Sequence, residues 1–173
     1  SALWADPGIP AAVTPLTVLT NSLAANDVAL VYGGYSESRP GLLEGGVKLW
    51  ELKPTAGSTV KSSLFGSSGA SLHTKALAVD GRIAFVGSYN LDPRSTSLNT
   101  EQGIFVDSPA IAAQLEEFFR VDSSGDHAWA VTLHDGDLLW SDGTRTYDSS
   151  PEASAGRKFQ AWIARVLPIE SQL

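Results

Sequence analysis

Apolar and polar positions change period several times along the chain, and each change marks an element. Leu16-Thr-Val-Leu-Thr20 alternates as a strand does, and Val47-Lys-Leu-Trp-Glu-Leu52 does so more strongly. Between them Asn21 and Ser22 open a polar turn. Asn26 or Asp27 can then cap a helix beginning near Val28, which Gly33, Gly34 and Pro40 should break into two pieces. The stretch 71–90 alternates again on either side of Asp80-Gly81, a two-residue hairpin pattern. Glu101 to Asp107 reads as a further strand. Ser108 and Pro109 then start a helix with a buried stripe of Ile111, Leu115, Phe118 and Phe119. Ala128 to Leu133 and Leu138 to Trp140 predict a second hairpin about Asp135-Gly136, pairing Val131 with Trp140 and Leu133 with Leu138. Pro151 starts a final helix whose apolar face is Phe159, Trp162, Ile163, Val166 and Leu167. Together these elements predict an α/β domain with a central mixed sheet flanked by helices.

Residues 1–14, rich in Pro, Ala and Gly, read as a tail or linker, which leaves 15–173 as one domain. Residues 54–70, dense in Ser, Gly and Thr, form a loop before the strand of His73, either a lid or a plain connection. After Asn90, Asp92 can cap a short helix with Pro93 at its first position, aiming backbone N–H groups at an anion, while Arg94 reads as solvated or salt-bridged.

Composition narrows the function classes. The 173 residues include no cysteine, so disulfides and thiolate metal sites are excluded. They include no methionine either, so the chain is expected to be a processed product or a piece of a longer protein. A net charge of -7 argues against nucleic acid as the main partner and against a polybasic membrane patch. No apolar run reaches the length of a membrane span, so the piece itself is expected to be soluble and any anchor to lie elsewhere in the parent chain.

The candidate chemistry sits in 71–90. Alternation puts His73, Lys75 and Leu77 on one face of the first strand of that hairpin. If Asp80 and Gly81 are the turn, His73 lies opposite Ser88, Lys75 opposite Val86 and Leu77 opposite Ala84. Ser88 and Asn90 then share the face of His73 and Lys75, with opposed Cβ atoms roughly 5 Å apart. Such a cluster suits a phosphate diester: the ammonium and the hydroxyl and amide donors hold the oxygens, and an imidazole nitrogen attacks phosphorus. Asp80, at the turn and facing away, is expected to support rather than touch the substrate. No pair of metal-binding carboxylates lies nearby in the sequence, and His127, His134, Asp135 and Asp137 read as turn chemistry rather than as metal ligands.

His73-x-Lys75-x4-Asp80 followed by Gly87-Ser88-x-Asn90 resembles the signature of the phospholipase D superfamily, and Glu101 in Asn99-Thr-Glu-Gln-Gly103 resembles its downstream glutamate. The flanks, from Thr20 to Pro54 and at Pro168 to Leu173, resemble the second half of bacterial cardiolipin synthases with two motifs. Ser36-Glu-Ser-Arg39-Pro40 departs from the more basic helix usual there. The resemblance implies a phospholipase D-like half with catalytic His73, Lys75, Asp80 and Glu101, phosphate held by Lys75, Ser88 and Asn90, and neither metal nor cofactor. It implies a phosphatidyltransferase working through a phosphohistidine on phospholipids at a membrane. Glu101 would accept the proton-bearing nitrogen of His73 and so fix the tautomer. Only one motif is present, so the second must come from the N-terminal half of the parent chain or from a homodimer mate. Three alternatives are open: a phospholipase D, a metal-independent homodimeric phosphodiesterase or nuclease, and a catalytically silent half that only binds its partner.

Overall fold

The computed structural model describes residues 16–25, 29–54, 73–90, 99–156 and 158–159. Ten elements follow one another: β1 (Thr17–Asn21), α1 (Ala29–Glu44), β2 (Lys48–Leu52), β3 (Lys75–Val79), β4 (Ile83–Gly87), β5 (Gly103–Asp107), α2 (Pro109–Asp122), β6 (Ala128–His134), β7 (Asp137–Ser141) and β8 (Thr146–Tyr147). They make a five-stranded sheet in the order β1-β2-β6-β7-β8 and a three-stranded sheet in the order β3-β4-β5. In the larger one β1 runs parallel to β2 through the α1 crossover and the remaining neighbours are antiparallel, so the expected mixed sheet is present. The three-stranded sheet is wholly antiparallel.

Period-two alternation decides the faces of the mixed sheet. Leu49, Trp129, Val131 and Trp140 form the buried cluster on one face, with Val18, Tyr35, Leu43, Leu138 and Tyr147 packed around it. Helix α1 supplies Tyr35 and Leu43 to that cluster, and Arg39 between them. On the other face Trp50 meets Phe119 of α2 edge to face, with centroids 5.8 Å apart. The mixed sheet is therefore flanked by helices, as expected of the α/β class.

Helix α1 runs unbroken through Pro40 instead of in two pieces. Proline removes the N–H that would bond the Ser36 carbonyl, and the Arg39 Nε reaches back to that carbonyl at 3.4 Å. The same guanidinium bonds Glu51 at 3.0 Å, which ties the proline turn to the sheet. Packing thus overrides local propensity. The helix ends in a Schellman motif: Gly46 has φ 83°, its N–H bonds the Leu43 carbonyl, and the Val47 N–H bonds that of Leu42.

Helix α2 starts as expected, with Ser108 accepting from the Ile111 N–H and Pro109 in the first turn. Its stripe is less buried than the pattern predicts. Ala112 is buried and Ile111 is exposed, because α2 lies across β3 and β4, a sheet too small to cover it. The second hairpin has the expected register, Val131 opposite Trp140 and Leu133 opposite Leu138. Pro151 stands buried in a turn and the helical turns begin only at Ala155; residues 160–173, including Trp162, Ile163, Val166 and Leu167, lie outside the described residues. So do 1–15, 55–72 and 91–98, and with them the tail, the loop and the Asp92-Pro93 cap.

Candidate functional site

The expected active-site hairpin forms, but in a different register. Lys75 pairs with Gly87, Ala76 with Val86, Leu77 with Phe85 and Val79 with Ile83. Asp80 and Gly81 make the turn with φ 52° and 61°, and the Arg82 N–H bonds the Val79 carbonyl at 3.0 Å. Arg82 is then the surplus residue. Its carbonyl accepts from the Ser108 N–H at 2.9 Å, which extends the β4–β5 ladder, and its guanidinium grips Asp107 at 2.7 and 2.8 Å. Held by β5, Arg82 bulges out of the β3–β4 pairing and displaces that register by one residue. The expected opposition of His73 with Ser88 and of Lys75 with Val86 is thereby corrected. Strict alternation now sets Ser88, and Asn90 with it, on the face opposite to Lys75, so the expected sharing of one face with His73 and Lys75 is corrected for both.

Strand ends bring the motif together more loosely. Strand β3 begins just after His73, β4 ends just before Ser88, and β5 begins two residues after Glu101, so His73, Lys75, Ser88, Asn90 and Glu101 all lie at one end of the small sheet. Asp80 lies at the other end, exposed in the turn and about 16 Å along the strand from Lys75 at the usual rise per residue. That position suits the supporting role expected of it. The His73 imidazole is exposed, and the Lys75 Nζ donates to the carbonyl of His73 at 2.6 Å.

Ser88 and Glu101 are joined. The Ser88 hydroxyl donates to Glu101 Oε2 at 2.5 Å and accepts from the Gln102 N–H at 3.0 Å, while the Ser88 N–H bonds the Gln102 carbonyl at 2.8 Å. Sequence reasoning placed this hydroxyl on the phosphate and missed its link to Glu101. The spacing could not reveal it, because it depends on the β4–β5 register. The motif glycine has a plain reason: a Cβ on Gly87 would stand 2.5 Å from the Gln102 carbonyl oxygen and 2.7 Å from the ring of Phe85. Close approach of β5, and with it of Glu101, needs a residue without a side chain.

His127 stands in the turn before β6, and His134 ends β6 beside the hairpin turn. His127 Nδ1 lies 3.1 Å from the Val121 carbonyl, and His134 pairs with the adjacent Asp135 on the surface. Among the described residues no group of three or more His, Asp or Glu stands close enough to hold a metal ion. An open groove of about 480 Å³ lies on the mixed sheet, lined by Lys48, Trp50, Ala130 and Thr132 among others, and it contains none of the motif residues.

The family described as "Cardiolipin synthase, PLD-like domain" matches residues 17–123. Cardiolipin synthase C of Escherichia coli is 42% identical over 163 residues, which make up 90% of this chain and 34% of that protein. An uncharacterized protein of Helicobacter pylori is 29% identical over 157 residues, 88% of this chain and 31% of its own length. A cardiolipin synthase of Clostridium perfringens is 45% identical over 51 residues, 30% of this chain and 11% of that protein. The chain thus spans about a third of the length of the first two relatives. No solved structure matches it.

Proposed function

Because the chain belongs to the phospholipase D-like cardiolipin synthase family, we propose that it is the C-terminal catalytic half of a phosphatidyltransferase acting on phospholipid phosphodiesters. The observation that carries this reading is the 42% identity to a cardiolipin synthase across 90% of the chain, with the whole His73-x-Lys75-x4-Asp80 and Gly87-Ser88-x-Asn90 pattern in place. The gathering of His73, Lys75, Asn90 and Glu101 at one end of a small sheet supports it.

In the proposed reaction one imidazole nitrogen attacks the lipid phosphorus, a P–N bond forms, and the P–O bond to the departing alcohol breaks. A second imidazole gives that alcohol its proton. The hydroxyl of an acceptor lipid then attacks phosphorus, surrenders its proton to the second imidazole and releases the first. His73 supplies one of the two imidazoles. The other comes from a second half with the same motif, in the same parent chain or in a homodimer mate. Lys75, Ser88 and Asn90 hold the phosphoryl oxygens, and Glu101 accepts a hydrogen bond from the ring N–H of His73. Asp80 supports the hairpin from its turn. No metal takes part in this sequence of steps. Lipid substrates bring the parent protein to a membrane surface. Among the described residues no helix is long and apolar enough to cross one.

The test is the product. Full-length protein mixed with phosphatidylglycerol vesicles, with and without phosphatidylethanolamine, is expected to form cardiolipin, identified by mass spectrometry of the extracted lipid. Phosphatidic acid as the sole product would replace transfer by hydrolysis, and unchanged lipid under every condition would contradict both.

A further inference from the structure

We infer that the open face of the three-stranded sheet is where an acyl chain of the bound phospholipid lies; this deepens the reading proposed above and rests on it. Register and alternation sort the side chains of that sheet onto two faces. Ala78, Ala84 and Ile104 share one of them, and Ala84 is the single buried residue of the three strands, where α2 lies across β3 and β4. Lys75, Leu77, Val79, Ile83, Phe85 and Phe105 share the other. On this second face Leu77, Val79, Ile83 and Phe105 are all exposed. A soluble protein seldom leaves so many large apolar side chains together in water, and a continuous patch of this kind marks a binding surface.

The apolar strip begins at the motif. Lys75, Gly87 and Gly103 form one row across the sheet, and Leu77, Phe85 and Phe105 form the next. The Phe85 ring leans back over the first row: a Cβ on Gly87 would stand 2.7 Å from it, and one on Gly103 would meet it as well. The two glycines thus make room for an aromatic ring beside the row of Lys75. Phe105 continues the surface, its ring centroid 4.8 Å from that of Phe85. Val79 and Ile83 close the strip about 13 Å along the strand from Lys75, where the ion pair of Arg82 with Asp107 returns the surface to charge. A cation at one end with uninterrupted hydrocarbon beyond it has the order of a phospholipid, whose phosphate is joined to its acyl chains through glycerol. A protein partner would instead bring hydrogen-bonding groups scattered through its contact surface, and this strip offers them no side chain to bond. Each methylene taken out of water adds about fourfold to affinity, so a chain covered on one side only still tightens binding.

Full-length protein is mixed with vesicles of phosphatidylcholine and phosphatidylglycerol in which a diazirine sits midway along one acyl chain, on the phosphatidylglycerol in one arm and on the phosphatidylcholine in the other. After illumination the labelled residues are mapped by mass spectrometry. Labelling by the phosphatidylglycerol probe should fall on Leu77, Phe85 and Phe105 and exceed that by the phosphatidylcholine probe. Phe105→Ser should raise the KM for cardiolipin formation about tenfold with kcat within about twofold, as when one large apolar side chain no longer covers hydrocarbon. Ile104→Ser, similarly exposed but on the opposite face, should change neither. Equal labelling by the two probes would mean that the face touches the bulk bilayer rather than bound substrate, and labelling confined to other segments would give the chain another path; either result overturns the inference. So would an unchanged KM in Phe105→Ser, an equal rise in Ile104→Ser, or labels showing the face covered by another part of the parent chain. The wild-type labelling decides the matter if Phe105→Ser lowers the melting temperature. If cardiolipin forms while the label falls elsewhere, only this inference fails; if wild type leaves the lipid unchanged, the proposed function falls and this inference with it.

Discussion

The carboxylate of Glu51 is wholly buried on β2, and it accepts bonds from the Arg39 guanidinium, the Tyr35 hydroxyl and the Trp140 indole N–H. The guanidinium also lies over the rings of Tyr35 and Trp140, at 5.5 and 5.2 Å from their centroids. Removing one partner of such a pair leaves a charge stranded in the core, so Glu51→Gln should destabilise the chain by about 3–5 kcal/mol, read by urea unfolding. The double variant Arg39→Met/Glu51→Leu should recover much of that loss, and a double-variant cost equal to the sum of the two single costs would show that the pair is not coupled. The alternating pattern of β2 put Glu51 on the same face as Leu49, but nothing local showed that this face was the core. The departure from a basic helix at Ser36 to Pro40 also finds its explanation here, since Arg39 belongs to the core network rather than to a phosphate site. Asp122 makes a different case. It is buried at the last residue of α2, and burial raises its pKa against a smaller opposing pull from His127. A carboxyl whose pKa is raised by folding contributes most to stability in its neutral form, below the ordinary Asp value of 3.8, and that contribution is lost as pH rises through the folded value. The negative end of the helix dipole opposes the charge as well. Asp122→Asn should therefore raise the melting midpoint at pH 7 by roughly 2–4 °C. The gain should vanish near pH 3, and a gain of equal size at both pH values would refute the cause.

Two hairpins carry the same Asp-Gly dipeptide and end differently. At Asp135-Gly136 the strands pair straight from His134 to Asp137, as the dipeptide predicts. At Asp80-Gly81 the turn itself forms as predicted, and the register beyond it is set by Arg82, which β5 claims through Ser108 and Asp107. The expected motif hairpin was thus legible, and which residues face which was not, because a third strand decides it. Unbroken α1 teaches the same lesson at Pro40, where a side chain from the helix itself takes up the orphaned carbonyl. The cap of α2, by contrast, was fully readable from Ser108 and Pro109, since both contacts of a cap lie within one turn. One glycine is tied to the site by the meeting of β4 and β5. Gly87→Ala would push a methyl group into the Gln102 carbonyl and the Phe85 ring, so it should lower transfer at least about tenfold through displacement of Glu101 and destabilise the sheet by about 1–3 kcal/mol. Activity and melting temperature both unchanged would mean that β5 need not approach so closely.

The chain as a whole pairs a well-buried mixed sheet with a small sheet that leaves much apolar surface open, Ile104 and Phe105 being 69% and 72% exposed. The strands that carry the core, β2, β6 and β7, were legible from their alternation, but which of their faces is buried was not. The division into two sheets was not, because nothing in a strand's own pattern says which neighbour it will pair with. The motif residues other than Asp80 lie at one end of the small sheet, and the chain spans about a third of the length of the first two relatives. A reaction that uses two imidazoles must take one of them from outside this motif. His73 is thus the residue on which the proposed chemistry turns, and its exposed ring means that its removal should spare the fold. The rate of cardiolipin formation by full-length His73→Ala, with its melting temperature measured alongside, is the most direct check. We expect the rate to fall at least about a hundredfold with the melting temperature unchanged, as for loss of a group that acts directly on the reacting atoms. Turnover like that of the wild type would contradict the assignment.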